Sequence, residues 1–159
     1  MKFLFAPWRW SFISNADKLK KCVFCEAQKE GPDKSLICYR GKNYFVILNK
    51  YPYTSGHLMI VPFEHLNSPK DIDPQYSTEM WDILNKSLDI LQKNFNPDGF
   101  NVGMNIGEAA GAGVRDHFHL HIVPRWKGDS NFMGVTGNTK VVSYDINIVF
   151  DIIKKGFDQ

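Results

Sequence analysis

Short apolar runs, each bounded by turn-forming residues, indicate β-strands along much of the chain. Gly41-Lys42 separates the first two runs and forms a plausible hairpin turn. Pro62 closes the third run and Pro124 closes the fifth. The five predicted strands span residues 36–40, 43–49, 57–61, 100–105 and 117–123. Val141-Val142 is a candidate for a further short strand.

Two helices are predicted, a long one after the third strand and one at the C-terminal end. Apolar residues recur every three or four positions over residues 76–95, the spacing of one helix face. Asp73 is suited to cap this helix and Pro74 to fill its first position. The second helix covers residues 145–155. We therefore predict an α+β fold, a mostly antiparallel five-stranded sheet with one long and one C-terminal helix.

The composition is that of an ordinary globular domain and excludes several classes of protein. The 159 residues are 43% hydrophobic and 23% charged, so collagen-like, repetitive and disordered chains are ruled out. We predict one domain over residues 1–159. A net charge of +2 is too small for a dedicated nucleic-acid binder.

No apolar run reaches the roughly 18–20 residues that span a membrane. The first nine residues do not suit a signal peptide, and the three cysteines favour a reducing, cytoplasmic location.

The strongest chemical signal is the alternation His117-x-His119-x-His121, which holds three of the five histidines of the chain. Alternate residues of a strand point to the same face of the sheet. Three imidazoles are therefore expected on one face, with the apolar residues between them in the core. An accidental polar face explains one such histidine better than it explains three. The residues alone leave a metal site and a catalytic site as alternatives.

Small residues fill the segment before these histidines, Gly107-Glu108-Ala109-Ala110-Gly111-Ala112-Gly113-Val114. Such residues let backbone N–H groups approach a phosphate closely. The segment is not a P-loop, because no Gly-Lys-Ser or Gly-Lys-Thr follows it. Its place directly before three histidines favours anion binding over an ordinary flexible loop.

Cys22 and Cys25 form a C-x-x-C pair, which in a cytosolic protein is usually a metal-binding knuckle or a redox pair. A redox pair normally lies at a helix start within a βαβ pattern, which this sequence lacks. A closed zinc site needs two more ligands, and the histidines outside the triad are His57 and His65. Two buried, inert thiols are the third interpretation. Cys38, alone in a strand, is expected to be a small core residue.

Several segments of the sequence resemble the histidine triad superfamily of nucleotide hydrolases and transferases. Residues 117–125, His-Phe-His-Leu-His-Ile-Val-Pro-Arg, resemble its signature. Asn49 with residues 56–62 resembles its second characteristic segment. Ala6-Pro7-Trp8-Arg9 and residues 125–132 resemble the branch of diadenosine tetraphosphate phosphorylases and related hydrolases. The resemblance implies action on dinucleoside polyphosphates such as diadenosine tetraphosphate.

The resemblance also implies catalytic roles. His119 would be the nucleophile, which suits a neutral imidazole near pH 7. Its attack on the α-phosphorus would give a nucleotidyl-His119 intermediate, which water or inorganic phosphate would then release. His121 would donate hydrogen bonds to phosphate oxygens, helped by backbone N–H groups near Gly113 and Val114. His57 would be a supporting residue of this catalytic group.

The nucleotide site is implied in the same way. Asn49 would bind the ribose hydroxyls, Phe24 and Ile47 would sandwich the base, and Asn105 would contact phosphate. A turn role for Asn49 and core packing for Phe24 and Ile47 are the alternatives. Many relatives carry glutamine four residues before the first triad histidine, where this chain has Gly113.

Zinc-containing members of the superfamily resemble this chain at four positions, which are Cys22, Cys25, His65 and His117. The resemblance therefore implies a structural zinc ion that ties the N-terminal segment to the active-site strand.

Other functions remain open at this stage. A nucleoside phosphoramidase shares the nucleophile and differs in its leaving group, and an adenylate-removing DNA-repair activity is disfavoured by the near-neutral charge. A non-catalytic nucleotide-binding regulator and a zinc-binding scaffold belong to other classes. The resemblance also implies a homodimer, and we expect no nucleic-acid or membrane partner.

Overall fold

The computed structural model describes residues 21–31, 35–129 and 144–159. The strands and α-helices of these ranges are α1 (Val23–Lys29), β1 (Ile37–Arg40), β2 (Tyr44–Leu48), β3 (Leu58–Pro62), α2 (Ser77–Phe95), β4 (Gly99–Met104), β5 (Leu120–Arg125) and α3 (Ile146–Phe157). Short 3-10 turns at Pro69–Asp71, Pro74–Tyr76 and Glu108–Ala110 lie in the connections. The segments Ala6-Pro7-Trp8-Arg9, Asn131-Phe132 and Val141-Val142 lie outside the described residues.

The strands form one sheet in the order β1-β2-β3-β5-β4, and each neighbouring pair is antiparallel. The predicted fold class is therefore confirmed. One row of paired residues crosses the sheet from edge to edge: Ile37, Ile47, Met59, His121 and Gly103. Because paired residues share a face, this row places His121 beside apolar residues of the neighbouring strands.

The two faces of the sheet have different surroundings. The face that carries Val46, Ile60 and Ile122 packs against α2 and α3, and we call it the helix face. The opposite face carries Ile47, Met59 and His121, and we call it the site face. The main core lies on the helix face, where α2 contributes an apolar stripe of Ile83, Leu84, Ile90, Leu91 and Phe95. Helices α2 and α3 thus bury the helix face, while Phe24 of α1 packs against Ile47 and Met59 on the site face.

The long helix begins later than predicted. Asp73 does act as a cap, since its Oδ1 accepts a hydrogen bond of 3.0 Å from the Gln75 N–H, but it caps the 3-10 turn Pro74–Tyr76. The α-helix itself begins at Ser77 and ends where Asn96 adopts the left-handed conformation, with φ of 44°. No helix in the described ranges combines the length and the apolar character needed to cross a membrane.

The prediction that the fifth strand begins at His117 was wrong, because β5 begins at Leu120. The Phe118 N–H donates to the Leu66 carbonyl at 2.7 Å, so the backbone here bonds to the loop after β3. His117 and His119 therefore precede the strand, and only His121 lies within it.

Prolines do not end the third and fifth strands as predicted, because β3 includes Pro62 and β5 includes Pro124. Pairing between β3 and β5 covers only Leu58–Ile60 with Leu120–Ile122. Each proline therefore lies beyond the paired residues of β3 and β5. Its missing N–H removes no hydrogen bond between these two strands.

Candidate active site

A cavity of about 530 Å³ opens on the site face. Strand residues Ile47 and Met59, helix α1 and the glycine-rich loop before β5 all contribute to its lining. The cavity brings together every residue that we predicted to bind a nucleotide: Phe24, Ile47, Asn49, Asn105, Gly113 and Val114. The roles of these residues individually remain predictions.

Two of the three triad histidines line the cavity, and the third does not. His119 and His121 are both in the lining, with ring centroids 4.6 Å apart. His117 is fully buried and turns its Nδ1 towards Cys22 and Cys25. All three imidazoles lie on the same side of the sheet, as expected, because the Phe24 ring packs against both His117 and His119, with ring centroids 5.5 and 5.0 Å apart, and Phe24 belongs to the apolar cluster of the site face. Only His121 lies within the strand, since His117 and His119 precede β5.

The hydrogen bonding of His119 determines which of its nitrogens can react. Its Nδ1 lies 3.0 Å from the carbonyl oxygen of His117. A carbonyl only accepts, so Nδ1 carries the proton, and in a neutral imidazole Nε2 then keeps its lone pair. Burial lowers the pKa of His119, against the opposing hydrogen bond to His117, which favours the neutral ring. The residue thus presents a neutral imidazole whose Nε2 keeps its lone pair.

A chain of hydrogen bonds sets the tautomer of His121. The Tyr53 N–H donates to His57 Nδ1 at 3.1 Å, so the neutral His57 ring carries its proton on Nε2. His57 Nε2 lies 2.9 Å from His121 Nδ1 and donates to it. A neutral His121 therefore keeps its own proton on Nε2. The arrangement leaves His121 Nε2–H as a hydrogen-bond donor next to His119.

Asn49 belongs to both the cavity lining and the turn that follows β2. Its Oδ1 accepts a 2.9 Å hydrogen bond from the Tyr51 N–H, which is a turn role. Its Nδ2 lies 3.3 Å from His57 Nδ1. An amide NH₂ has two donors, so Nδ2 can bond to His57 and to a ligand in the cavity together.

The glycine-rich loop makes a 3-10 turn over Glu108–Ala110 before it reaches the cavity. Gly111 ends this turn with φ of 83°, a left-handed conformation in which any other residue would be strained. Gly111, Gly113 and Val114 then line the cavity. Because glycines have no side chains, backbone groups are what this part of the wall offers to an anion.

A second group of residues meets beside the triad. The donor atoms of Cys22, Cys25, His65 and His117 all lie within 4.8 Å of one another. Cys22 Sγ is 3.4 Å from His117 Nδ1, and Cys25 Sγ is 3.2 Å from His65 Nδ1. Two thiolates and two imidazoles are a common structural zinc set, and tetrahedral donors around such an ion lie about 3.3–3.8 Å apart. The four residues therefore fit zinc, as the resemblance implied.

The environment of His117 suits a metal ligand. Its Nε2 donates to the Pro62 carbonyl at 2.9 Å, which leaves the Nδ1 lone pair facing the cysteines. Burial lowers the pKa of His117 to about 4, so the ring is neutral near pH 7, which is the form that binds metals. Cys38 lies apart from this cluster in the core, where burial raises the pKa of its thiol to about 12, as expected of an inert residue.

Ser35 and Tyr53 are among the residues of the cavity lining that sequence reasoning missed. The Tyr53 ring stacks on His57, with centroids 4.8 Å apart. The available signal for Tyr53 was an aromatic residue four positions before a histidine. Ser35 lies just before β1, and only the hairpin register connects it with Asn49.

The fold and the triad histidines are those of a HIT domain, where HIT stands for histidine triad. The HIT domain family model matches residues 30–128, so the chain belongs to this family. The AP-4-A phosphorylase of Mycobacterium tuberculosis is 33% identical over 147 residues, covering 87% of this chain and 75% of that protein.

Further similarities come from an enzyme of yeast and from a solved structure. The asymmetrical bis(5'-nucleosyl)-tetraphosphatase of Schizosaccharomyces pombe is 32% identical over 98 residues, covering 62% of this chain and 53% of that protein. The crystal structure of a Zn-bound histidine triad family protein from Mycobacterium smegmatis has a TM-score of 0.69 at 26% identity, covering 87% of this chain and 94% of that chain. These comparisons confirm the resemblance that the sequence motifs indicated.

Proposed function

We propose that the chain is a nucleotide hydrolase or nucleotidyl transferase that acts on dinucleoside polyphosphates, with diadenosine tetraphosphate as the favoured substrate. The observation that carries the proposal is the hydrogen bond from His119 Nδ1 to the His117 carbonyl, because it makes Nε2 a nucleophile inside the cavity. The names of the phosphorylase and tetraphosphatase relatives support the choice of substrate.

In the first step, His119 Nε2 attacks the α-phosphorus of the dinucleotide. A bond forms between nitrogen and phosphorus, and the bond from that phosphorus to the bridging oxygen breaks with its electron pair on the leaving nucleoside polyphosphate. The Nδ1 proton stays in place, so the substituted ring is a cation whose N–H still donates to the His117 carbonyl. His121 Nε2–H donates a hydrogen bond to a phosphate oxygen and stabilises its negative charge.

In the second step, an acceptor oxygen attacks the same phosphorus and the bond to His119 Nε2 breaks, which restores the neutral imidazole. If the acceptor is water, its proton passes to solvent and the product is the mononucleotide. If the acceptor is inorganic phosphate, the product is a nucleoside diphosphate. Dividing one difficult displacement into two easier ones is the advantage of the covalent step.

Cys22, Cys25, His65 and His117 would hold a structural zinc ion. When bound, zinc supplies a cross-link between the segment that carries α1 and the segment before β5. His117 thus supports the cavity in two ways, since its carbonyl orients His119 while its ring faces the cysteines.

A homodimer is part of the proposal and is supported by the edge of the sheet. Among the strands of the described residues, β4 lies at an edge of the sheet, and its Val102 is 43% exposed. A sheet edge with an exposed apolar residue is suited to pairing with a second copy. Light scattering coupled to gel filtration is expected to give twice the chain mass, and a monomeric mass at all concentrations would contradict this part.

Product analysis on diadenosine tetraphosphate, with and without inorganic phosphate, tests the proposed activity. AMP with ATP indicates hydrolysis, and ADP with ATP indicates phosphorolysis. Adenosine phosphoramidate is the comparison substrate. Turnover of the phosphoramidate alone would replace the proposal with a phosphoramidase, and binding of nucleotide without any product would replace it with a nucleotide-binding regulator.

A further inference from the structure

Among the residues that the structure describes, one buried hydroxyl of the cavity lining makes no hydrogen bond. Ser35 is only 5% exposed and lines the cavity. Its Oγ has less than 1 Å² of accessible surface and no hydrogen-bond partner within the described ranges. Buried polar groups in folded proteins nearly always have a partner, so an exception calls for an explanation. A ligand that completes the hydrogen bond is one such explanation.

The hairpin register places Ser35 beside the predicted sugar site. Ile37 pairs with Ile47, and the Leu48 N–H donates to the Leu36 carbonyl at 2.9 Å, so the pairing continues past the end of β1. Continuing it by one more residue sets Ser35 opposite Asn49. Paired positions, and positions two apart on a strand, share a face. Ser35 therefore lies on the site face, next to the apolar pair of Ile37 and Ile47.

The side chains of this hairpin offer the kinds of group that a nucleoside needs. Asn49 offers an amide, Ile47 offers an apolar surface, and Ser35 offers a hydroxyl that can both donate and accept. A base packed on Ile47, with its ribose near Asn49, brings its polar edge within reach of a hydroxyl on the neighbouring strand. Rotation about the single χ1 bond moves Oγ between staggered positions, so it can turn from the protein interior towards the cavity.

We propose that the Ser35 hydroxyl reads the hydrogen-bonding edge of the nucleobase and so contributes to base specificity. This inference rests on the proposed function, because it assumes that the cavity holds a nucleotide. Ser35 would be a specificity residue distinct from the proposed catalytic histidines and from the proposed zinc ligands.

The test measures binding of two ligands by calorimetry, so it does not depend on turnover. The first ligand is AMP. The second is indole riboside 5'-monophosphate, whose base has a similar shape but no hydrogen-bonding edge. Wild type is expected to prefer AMP. Ser35→Ala is expected to weaken AMP binding about 10-fold, equivalent to about 1.4 kcal/mol, and to change binding of the indole ligand less than about twofold.

The melting temperature of the free protein gives a second readout. If Ser35 had a structural role, its replacement would lower the melting temperature. Because the free protein leaves Oγ without a partner, Ser35→Ala is expected to leave the melting temperature unchanged or to raise it. Ser87→Ala is the matched control, since Ser87 Oγ is buried on α2 and donates to the Ile83 carbonyl at 2.7 Å. That control is expected to lower the melting temperature and keep the preference for AMP.

The outcomes separate this inference from the proposed function. If wild type binds neither ligand, the cavity is not a nucleotide site and the proposed function fails with the inference. If wild type prefers AMP and Ser35→Ala keeps that preference, Ser35 does not read the base, although the proposed function stands. Equal weakening of both ligands with a lower melting temperature would show that Ser35 is structural and would also overturn the inference.

Discussion

The two faces of this sheet are made of the same strands but have different surroundings. On the helix face, Val46, Ile60 and Ile122 are buried against α2 and α3, and packing satisfies them fully. On the site face, buried His119 and half-buried His121 line the cavity, and buried His57 lies behind His121. The apolar residues of this face form a second, smaller core around Phe24, so the site face combines packing with polar groups.

Polar groups on the site face are arranged by hydrogen bonds to the backbone. The carbonyl of His117 orients His119, the carbonyl of Pro62 orients His117, and the N–H of Tyr53 orients His57. Backbone groups move little, so they hold each imidazole in one tautomer. The helix face therefore supplies stability and the site face supplies chemistry, a division that substitutions on each face can test.

The largest effect is expected from a pair of substitutions, one on each face. His119→Ala removes the proposed nucleophile and should lower kcat by several orders of magnitude while the melting temperature stays close to that of wild type. Leu91→Ala opens a cavity at a residue with no exposed surface, so it should cost about 2–5 kcal/mol of unfolding free energy. The folded fraction of Leu91→Ala should keep its kcat. Steady-state kinetics and thermal unfolding of both variants measure this contrast.

A weak kinetic effect would remove the distinction between the faces. If His119→Ala kept more than about a tenth of wild-type turnover, less than about 1.4 kcal/mol of transition-state stabilisation would depend on it. The covalent mechanism could not stand on so small a contribution.

The next effect concerns the metal cluster, which joins α1 to the segment before β5. Metal analysis of the native protein should find about one zinc ion per chain. Cys22→Ser should lower both the zinc content and the melting temperature, because metal binding contributes to folding. Cys38→Ala is the control, since Cys38 lies in the core on the helix face and should leave the zinc content unchanged. A metal-free native protein with unchanged stability in Cys22→Ser would rule out the structural zinc.

A smaller and pH-dependent effect is expected where α2 meets the turn between β1 and β2. Glu79 accepts hydrogen bonds from the Lys42 N–H at 2.6 Å and from Asn43 Nδ2 at 2.6 Å. Burial alone would raise the pKa of Glu79, but these hydrogen bonds hold it below its ordinary value of 4.5. Glu79→Gln should lower the free energy of unfolding by about 1–2 kcal/mol at neutral pH. This value lies in the lower part of the range for hydrogen bonds to a charged group, because the site is partly exposed.

The sign of the pH dependence follows from the lowered pKa of Glu79. The stability contributed by the carboxylate is fully present above the pKa of the unfolded chain and is lost as pH falls through the lower folded-state pKa. The difference between wild type and Glu79→Gln should therefore shrink below pH 4.5. Urea unfolding across this range measures it, and a difference that does not change with pH would show that the charge is not involved.

The effect whose expected range begins lowest lies at the predicted sugar site. Asn49→Ala removes a donor from the cavity, so kcat/KM should fall roughly 2- to 150-fold, the equivalent of a lost hydrogen bond of about 0.5–3 kcal/mol. The variant should also lose most of the wild-type discrimination against a 2′,3′-dideoxy substrate. Asn94→Ala is the control, because Asn94 Nδ2 donates to the Ile90 carbonyl on α2, away from the cavity. Unchanged discrimination in Asn49→Ala would leave Asn49 with its turn role alone.

Much of the fold could be predicted because long periodic segments carry a strong signal. The nineteen residues of α2 present several turns of apolar spacing. The seven residues of α1 were missed, because Phe24 is their one buried residue and a single position has no period. The sheet order could not be predicted, since pairing between β3 and β5 joins residues sixty or more positions apart.

The candidate site was predictable as a set of residues but not as an arrangement. The triad motif and the C-x-x-C pair identified the chemistry, and the structure brings the corresponding side chains together in a cavity and a cluster. Strand alternation predicted the side of the sheet on which His117 lies, but not its contact with the two cysteines, because residues far apart in the sequence form that cluster. The hydrogen bonds that select each tautomer come from backbone groups, which a side-chain pattern does not reveal.

The central claim is that the reaction passes through a covalent bond to His119, and the stereochemistry at the α-phosphorus tests it most directly. The substrate is diadenosine tetraphosphate with a chiral α-phosphorothioate, used with isotopically labelled water if water is the acceptor. Each in-line displacement inverts the configuration at phosphorus, so the two steps proposed here predict net retention in the product. Net inversion would show a single direct displacement and would contradict the nucleotidyl-histidine mechanism.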